Sequence, residues 1–169
     1  MRRVLIIGNA GSGKTTFAKA LAKKTGLPLV HLDQLFWCGE WEHISREDFD
    51  QALQAELSKE TWILDGNFDR TLPLRLQSCD TVFFFDLPRI KCLWGVTKRL
   101  LQNWGKTRDD MGGNCTERFD RHKRELYHHV WHFNRSNRKK YYALLKDTEN
   151  LIVFRSRKQS VKYLREVVK

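Results

Sequence analysis

The sequence predicts an α/β fold, a parallel sheet of five strands covered by helices on both faces. Short runs of apolar residues alternate with longer stretches of helical periodicity along the chain, a pattern typical of such sheets. The apolar runs lack polar alternation, as expected for strands buried on both faces. The chain has 169 residues, three prolines and no low-complexity linker, which predicts a single domain over residues 1–169.

Each predicted strand is a β-rich apolar run that stops at a polar residue or a turn signal. In chain order the predicted strands are Val4–Ile7, Leu27–Leu32, Trp62–Leu64, Thr81–Phe85 and Leu151–Phe154. Helical patterns separate them, and Ser45 with Asp48 three residues later predicts the N-terminal cap of one helix. The predicted helices begin and end near Lys14–Lys24, Ser45–Ser58, Arg89–Asn103, Glu117–Lys146 and Gln159–Val168.

A phosphate-binding loop follows the first predicted strand. The pattern G-x-x-x-x-G-K-[ST] is met in the segment Gly8-Asn9-Ala10-Gly11-Ser12-Gly13-Lys14-Thr15, followed by Thr16. Glycine lets the backbone turn its N–H groups around phosphate oxygens, and the next helix presents further N–H groups to the same anion. The motif predicts binding of ATP, with Lys14 on the β- and γ-phosphates and the Thr15 hydroxyl on Mg²⁺. A dinucleotide loop is excluded because Thr16 stands where its third glycine is required.

Two carboxylates follow predicted strands and are candidates for phosphoryl-transfer chemistry. Asp33 follows the second strand and Asp65 the third, and ligands bind at this edge of open parallel sheets. One of the two could hold Mg²⁺ through water, and the other could accept a proton from, or orient, an acceptor hydroxyl. Each would alternatively be an ordinary helix cap or turn residue.

Residues 103–120 are polar, rich in glycine and basic, and we call this segment the predicted lid. Long loops in compact domains are usually functional, and this one is expected to close over the triphosphate. Arg99 and Arg108 are the candidates for contacts with the transferring phosphoryl group. Cys115 is expected to be the most exposed of the four cysteines, which form no C-x-x-C pair.

Charge is distributed unevenly along the chain. Residues 87–169 carry 21 Lys and Arg against 8 Asp and Glu, whereas residues 1–86 carry 10 against 12. A basic half is consistent with nucleic acid, an acidic membrane surface, a small polyanion such as ATP, or simply a solvated basic face, so nucleic acid is a second candidate partner through the C-terminal half. The apolar N-terminal run is too short for a signal peptide and no run approaches a membrane span, so a cytoplasmic protein without a membrane partner is expected.

Aromatic residues fall into two groups. Phe36, Trp37 and Trp41 closely follow Asp33, where they either stack on an acceptor ring or cover the sheet edge. Trp94, Trp104 and Trp131 are predicted to be packing residues.

Taken together, these motifs resemble the DNA topology modulation proteins, a bacterial branch of the adenylate kinase-like P-loop proteins. Besides the phosphate loop and Arg99, the resemblance is carried by His31-Leu32-Asp33, Leu35-Phe36-Trp37, Trp62-Ile63-Leu64-Asp65-Gly66-Asn67, Phe85-Asp86-Leu87-Pro88, Thr107-Arg108-Asp109-Asp110-Met111 and Arg155-Ser156-Arg157.

The resemblance implies a P-loop phosphotransferase with a five-stranded parallel sheet in the adenylate kinase order, 2-3-1-4-5. It implies that Asp65 is the carboxylate on the metal side, binding Mg²⁺ directly or through water, and that Asp33 contacts the metal or the acceptor. It also implies that Arg99 and Arg108 contact phosphates and that Ser156 and Arg157 border the adenine of ATP. The chain departs from adenylate kinases after Asp65-Gly66, and only Arg46 is available near the second strand. This departure argues against AMP as the acceptor.

Two functional hypotheses follow. The first is a kinase that moves the γ-phosphoryl group of ATP to a small-molecule acceptor, for which slow ATP hydrolysis without an acceptor is a variant. The second is an ATP-dependent regulator associated with nucleic acid.

Overall fold

The computed structural model describes residues 1–166, with the side chains of residues 134–136 outside the description. Within residues 1–166, five parallel strands form the main sheet. They are β1 (Arg3–Gly8), β2 (Leu29–His31), β5 (Trp62–Asp65), β6 (Thr81–Phe85) and β7 (Leu151–Phe154). Their spatial order is β2-β5-β1-β6-β7, which confirms the predicted order 2-3-1-4-5 when only these strands are counted.

Helices cover the sheet on both faces, as predicted. They are α1 (Lys14–Thr25), α2 (Leu32–Phe36), α3 (Arg46–Leu57), α4 (Leu72–Ser78), α5 (Arg89–Gln102), α6 (Arg121–Ser136), α7 (Arg138–Leu144) and α8 (Arg157–Glu166). A short antiparallel hairpin, β3 (Trp37–Gly39) with β4 (Glu42–His43), follows α2. The end of the predicted last helix, residues 167–168, lies outside the described residues.

The central strand β1 divides the core into two layers. Val4 and Ile6 pack with residues of α1, α5 and α8, whereas Leu5 and Ile7 pack with residues of α3, α4 and α7. All four side chains are fully buried, as the uninterrupted apolar run predicts.

The predicted cap of α3 is confirmed. The Ser45 hydroxyl accepts a hydrogen bond from the backbone N–H of Asp48 at 3.0 Å and donates one to the Asp48 carboxylate at 2.7 Å. This exchange satisfies a donor that the first helical turn leaves open.

The long helix predicted over Glu117–Lys146 is wrong at its start and in its middle. It begins only at Arg121, because the Asp120 carboxylate accepts from the N–H of Lys123 at 2.8 Å and caps α6 there. At Asn137 the helix breaks into α6 and α7. The side-chain amide of Asn137 donates to the carboxylate of Asp69 at 3.2 Å, which holds the break between the two helices against the segment before α4.

The second predicted strand was too long. Strand β2 ends at His31, and Leu32 already begins α2, so Asp33 lies in the first turn of a helix. The prediction that Trp94, Trp104 and Trp131 pack in the interior is also wrong, because their exposed fractions are 64%, 57% and 42%. None of the helices within residues 1–166 is long and apolar enough to cross a membrane.

Candidate active site

The phosphate loop occupies the turn between β1 and α1. Gly8 and Gly11 have φ angles of 135° and 72°, conformations that glycine adopts without strain. A Cβ atom on Gly11 would collide with the carbonyl oxygen of Cys92 and with Val96. The loop therefore needs glycine both for its backbone turn and for its close contact with α5.

Gly95 in the middle of α5 completes this contact, and sequence reasoning missed it. A Cβ atom there would collide with the carbonyl oxygen of Gly11. A glycine inside a helix lowers the stability of that helix. The presence of Gly95 within α5 was therefore the sequence signal for a packing role, here against the phosphate loop.

Arg157 holds the phosphate loop from the start of α8. Its guanidinium donates to the carbonyl oxygens of Gly11 at 2.7 Å and Ser12 at 3.3 Å. It also donates to the carbonyl oxygen of Lys91 on α5 at 3.1 Å. Arg157 therefore ties α5 and the loop together and lies beside the predicted nucleotide site.

The interior of the loop is polar and buried. Asn9 and Ser12 are both fully buried, and the Asn9 amide donates to the carbonyl oxygen of Val130 at 3.0 Å. Within the described chain, the Ser12 hydroxyl and the Asn9 amide oxygen find no hydrogen-bond partner.

Lys14 at the start of α1 donates from Nζ to the carbonyl oxygen of Asn9 at 3.1 Å, so it folds back along the loop. Burial lowers the pKa of Lys14, and the carboxylates of Asp65 and Asp33 raise it in opposition. Its ammonium therefore lies in the field of both predicted functional carboxylates.

Thr15 and Asp65 meet at the end of the sheet. The Thr15 hydroxyl donates to Oδ2 of Asp65 at 2.7 Å, and Nδ1 of His31 lies 3.1 Å from the same oxygen. Asp65 is 5% exposed, and its Oδ1 is a buried atom without a hydrogen-bond partner among residues 1–166. A hydroxyl oxygen and an open carboxylate oxygen beside a phosphate loop suit Mg²⁺, which binds hard oxygen ligands and retains several waters.

The turn after β5 is fixed by two residues that sequence reasoning did not select. The Asn67 side-chain oxygen accepts from the N–H of Gly8 at 3.0 Å. Arg75 is fully buried and donates to the carbonyl oxygens of Gly66 and Phe68, both at 2.9 Å, and of Asn67. Burial lowers the pKa of Arg75 to about 10. The sequence signal that could have identified Arg75 is its position on a short helix after the Asp65-Gly66-Asn67 turn.

Asp33 is half-buried and lies in the first turn of α2. Burial raises its pKa, and the neighbouring carboxylates of Asp65 and Asp110 raise it further, although Arg108 and Lys14 oppose them. A carboxylate with a raised pKa is a stronger proton acceptor than an exposed one once it is ionised.

The predicted lid is packed against the domain. The side-chain amide of Gln34, on α2, donates to the carbonyl oxygen of Asp109 in the predicted lid at 2.5 Å. The indole N–H of Trp41 donates to the carbonyl oxygen of Thr116 at 3.3 Å.

Cys115 is fully buried, so its predicted exposure is wrong, and Cys38 is the exposed cysteine. The prediction failed because the polar composition of the predicted lid does not reveal that this segment folds over Cys115.

Arg108 lies at the centre of a buried ion network in this segment. Its guanidinium donates two hydrogen bonds to Asp110, each at 3.0 Å, and one to Glu117 at 2.8 Å. Lys123 forms an ion pair with Glu117, and Nε of Arg99 lies 3.8 Å from the same carboxylate. Among the residues described, that Arg99 Nε makes no hydrogen bond. Burial, with the charge of Arg108 nearby, lowers the pKa of Arg99.

One cavity of about 1110 Å³ joins these groups. Lys14, Thr15 and Asp65 line one end, which we call the phosphate-loop end. The other, which we call the acceptor end, is formed by α2, the β3–β4 hairpin, the predicted lid and the start of α6. Its lining residues are Asp33, Trp37, Trp41, Arg108, Asp110 and His122. The structure thus brings the predicted loop, carboxylates and arginines together around a single space.

Comparison with known proteins gives three likenesses. A sequence model of the ATPase family associated with various cellular activities (AAA) matches residues 4–84. An adenylate kinase from Clavibacter michiganensis subsp. michiganensis (strain NCPPB 382) is 32% identical over 112 residues, which are 64% of this chain and 54% of that protein. The chain therefore spans about half the length of the curated relative that it matches.

The third likeness is structural. A shikimate kinase from Bacteroides thetaiotaomicron superimposes with a TM-score of 0.55 at 16% sequence identity, covering 98% of this chain and 95% of that one. The chain thus has the same fold as this shikimate kinase. The finer resemblance to DNA topology modulation proteins stays a prediction.

Proposed function

We propose that this protein is an ATP-dependent phosphotransferase that moves the γ-phosphoryl group of ATP to the hydroxyl group of a small molecule. The observation that carries the proposal is the pairing of Thr15 with Asp65 beside the phosphate loop, in the same cavity as Asp33. A glycine-rich turn without a ligand does not require a buried carboxylate with an open oxygen at this position. The likeness to adenylate and shikimate kinases supports the same chemistry.

At the phosphate-loop end, the residues from Gly8 to Thr16 would hold the triphosphate with backbone N–H groups and the N-terminus of α1. Lys14 would exchange the carbonyl oxygen of Asn9 for phosphate oxygens, and Arg157 would keep the loop in place beside the base. Thr15 and Asp65 would hold Mg²⁺. When bound, Mg²⁺ neutralises charge that develops on the phosphate oxygens during transfer.

At the acceptor end, Asp33 would orient the acceptor hydroxyl and take its proton. Arg99 is the better placed of the two proposed catalytic arginines, because its Nε makes no hydrogen bond within the described residues. Arg108 would reach the phosphoryl group only by giving up one of its carboxylate partners. Arginine contacts to a transferring phosphoryl group are worth on the order of 10³–10⁵ in rate.

The direct test is nucleotide-dependent thermal stability. ATP with Mg²⁺ at 100 times its dissociation constant should stabilise the wild type by about 2.7 kcal/mol. Lys14→Ala should lose this effect, whereas Lys23→Ala, which changes an exposed lysine on the same helix, should keep it. If no nucleotide stabilises the wild type, the phosphotransferase proposal fails.

A second candidate is an ATP-dependent regulator that binds nucleic acid. It is favoured by exposed tryptophans on basic helices: the guanidinium of Arg89 lies 3.9 Å from the ring centre of Trp131, and Trp94 is exposed nearby in sequence. Aromatic rings interleaved with cations are typical of single-strand binding surfaces. This candidate predicts an affinity whose logarithm falls linearly with the logarithm of salt concentration. Absence of binding at low salt would exclude it.

A further inference from the structure

The acceptor end of the cavity carries cations that are already neutralised by carboxylates. Arg108, Lys123 and Arg99 all lie around Glu117, and Arg108 also holds Asp110 in a two-pronged ion pair. Asp33 adds another carboxylate to the same end. The three cations of this network therefore face three carboxylates and supply no surplus positive charge for an anionic substrate, and Lys98, which also lines the cavity, is exposed to solvent.

Breaking these pairs to bind an anion would be costly. Glu117 is 1% exposed and Arg108 is 9% exposed, so each would leave the other as a buried charge without compensation. Removing one partner of a buried ion pair is strongly destabilising for that reason. An acceptor phosphate or carboxylate would have to compete with the two carboxylates that already hold Arg108.

Two other arginines near the second strand do not supply unpaired positive charge to the acceptor end. Arg70 is exposed and forms two hydrogen bonds with Asp50, at 2.6 and 2.8 Å. Arg46 is exposed at the start of α3. Neither belongs to the residues that line the cavity. Arg99 has an available donor, and the proposed reaction already uses it on the phosphoryl group.

Aromatic rings form the wall of the acceptor end. The ring centres of Trp37 and Trp41 lie 5.5 Å apart at an interplanar angle of 80°. His122 stacks against Trp41 at 5.7 Å and 16°. Met111 lines the same space. Aromatic and sulfur-containing walls favour flat or apolar rings.

We infer that the acceptor is an uncharged alcohol whose ring is planar or has an apolar C–H face, such as a nucleoside or a cyclic polyol, and not a phosphate or carboxylate compound. This inference rests on the proposed phosphotransferase function and adds the chemical class of its acceptor. The hydroxyl oxygen of the alcohol forms a bond to the γ-phosphorus of ATP as the bond to the β-phosphate oxygen breaks. Asp33 takes the hydroxyl proton and later releases it to solvent, so the products are a phosphate monoester, ADP and a proton.

The test compares neutral and anionic ligands on protein saturated with a non-hydrolysable ATP analogue and Mg²⁺. The pairs are nucleosides against their 3′-monophosphates, and cyclic polyols against cyclic hydroxycarboxylates, with affinities measured by calorimetry. The neutral member should bind about tenfold more tightly or better, since like charges brought together at an interface are strongly disfavoured. Anionic members that bind as tightly or more tightly, or a lack of binding by every neutral member, would overturn the inference.

A charge variant with a matched control sharpens the test. Asp110→Asn frees the two Arg108 donors that face Asp110 and should shift the preference toward the anionic members about tenfold or more. Asp109→Asn makes the same change one residue away, where the carboxylate holds Lys19, and should leave the preference unchanged. Equal shifts in the two variants would contradict the role of the Arg108–Asp110 pair.

The outcomes separate the inference from the proposed function. If the ATP analogue itself fails to stabilise the wild type, both fail. If the analogue binds while anionic acceptors are preferred, only the neutral-acceptor inference fails. Should Asp110→Asn not fold, the ligand pairs on the wild type still decide the question.

Discussion

The phosphate-loop end of the cavity is formed mainly by backbone groups, whereas the acceptor end is formed mainly by side chains. The first is shaped by backbone: positive φ angles at Gly8 and Gly11, carbonyl oxygens held by Arg157, and the N-terminus of α1. The second is shaped by side-chain charges that pair across the predicted lid, centred on Arg108 and Glu117. Under the proposed function, the backbone cradle would recognise any triphosphate in the same way, whereas the network of paired charges and rings would set which acceptor fits.

The comparison is tested most strongly by separating turnover from nucleotide binding. Asp33→Asn should lower kcat by about 10²–10⁴, the usual contribution of a general base, because the proposed proton acceptor is lost. Stabilisation by ATP and Mg²⁺ should remain, in contrast to Lys14→Ala. Steady-state kinetics and thermal shifts on both variants check this, and wild-type kcat in Asp33→Asn would remove Asp33 from the mechanism.

The same variant has a pH signature. Only ionised Asp33 can accept a proton, and burial with Asp65 and Asp110 raises its pKa. Activity of the wild type should therefore be lost as pH falls through this raised pKa. The residual activity of Asp33→Asn should lack that acidic limb, and a profile parallel to the wild type would assign the limb to another group.

The next largest effect is expected from the centre of the ion network. Glu117→Gln leaves Arg108, Lys123 and Arg99 facing a neutral amide, and loss of one partner from a buried pair costs about 3–5 kcal/mol. Glu125→Gln removes a partner from the exposed Arg121–Glu125 pair and should cost about 0–0.5 kcal/mol. Urea unfolding of both variants measures the difference, and similar values would show that the network adds little stability.

Acid titration of Glu117→Gln refines this result. Burial raises the pKa of Glu117, but the hydrogen bond from Lys123 and the charges of Arg99 and Arg108 outweigh it, so the folded pKa lies below its usual value. The stabilisation is complete above the unfolded pKa and is lost as pH falls through the lowered folded pKa. The variant should accordingly lose less stability than the wild type on acidification.

The phosphate-loop end is expected to respond to a single methyl group on a neighbouring helix. Alanine usually stabilises a helix relative to glycine by about 0.5–1 kcal/mol. Gly95→Ala should instead destabilise the protein by about 1–3 kcal/mol, because the new Cβ collides with the Gly11 carbonyl oxygen. It should also weaken stabilisation by ATP. Gly39→Ala is the control, since an added Cβ meets no atom within 4 Å, and a raised melting temperature for Gly95→Ala would contradict the packing role.

These contrasts explain what the sequence predicted well. The phosphate loop and the strands depend on local patterns, namely apolar runs and fixed glycine spacings, whereas the sheet order was implied by the family resemblance, and the structure confirms that order. Asp65 was selected because strand ends of a parallel sheet share one edge, and its contact with Thr15 agrees with that argument.

The acceptor end depends instead on contacts between distant segments. Glu117 pairs with Arg99 and Lys123 only after the predicted lid has folded, and no spacing rule marks such a network. His31 and Arg75 were missed for a similar reason, since each acts on a turn formed by another segment. The roles of these residues in binding and catalysis stay predictions.

The smallest effect is expected where the predicted lid meets α1 in solvent. Lys19 Nζ lies 2.6 Å from Oδ2 of Asp109, whose side chain is 81% exposed. Exposed pairs contribute about 0–1 kcal/mol and weaken with salt, so Asp109→Asn should lower the free energy of unfolding by about 0.5 kcal/mol or less. The hydrogen bond from the Gln34 side-chain amide to the Asp109 carbonyl oxygen remains in the variant and continues to hold the segment. Unfolding at low and high salt, with Lys19→Met as the matched change on the other partner, checks this. A loss as large as that of Glu117→Gln would mean that the lid is held by its exposed pair, and the contrast between a buried network and a solvated contact would fail.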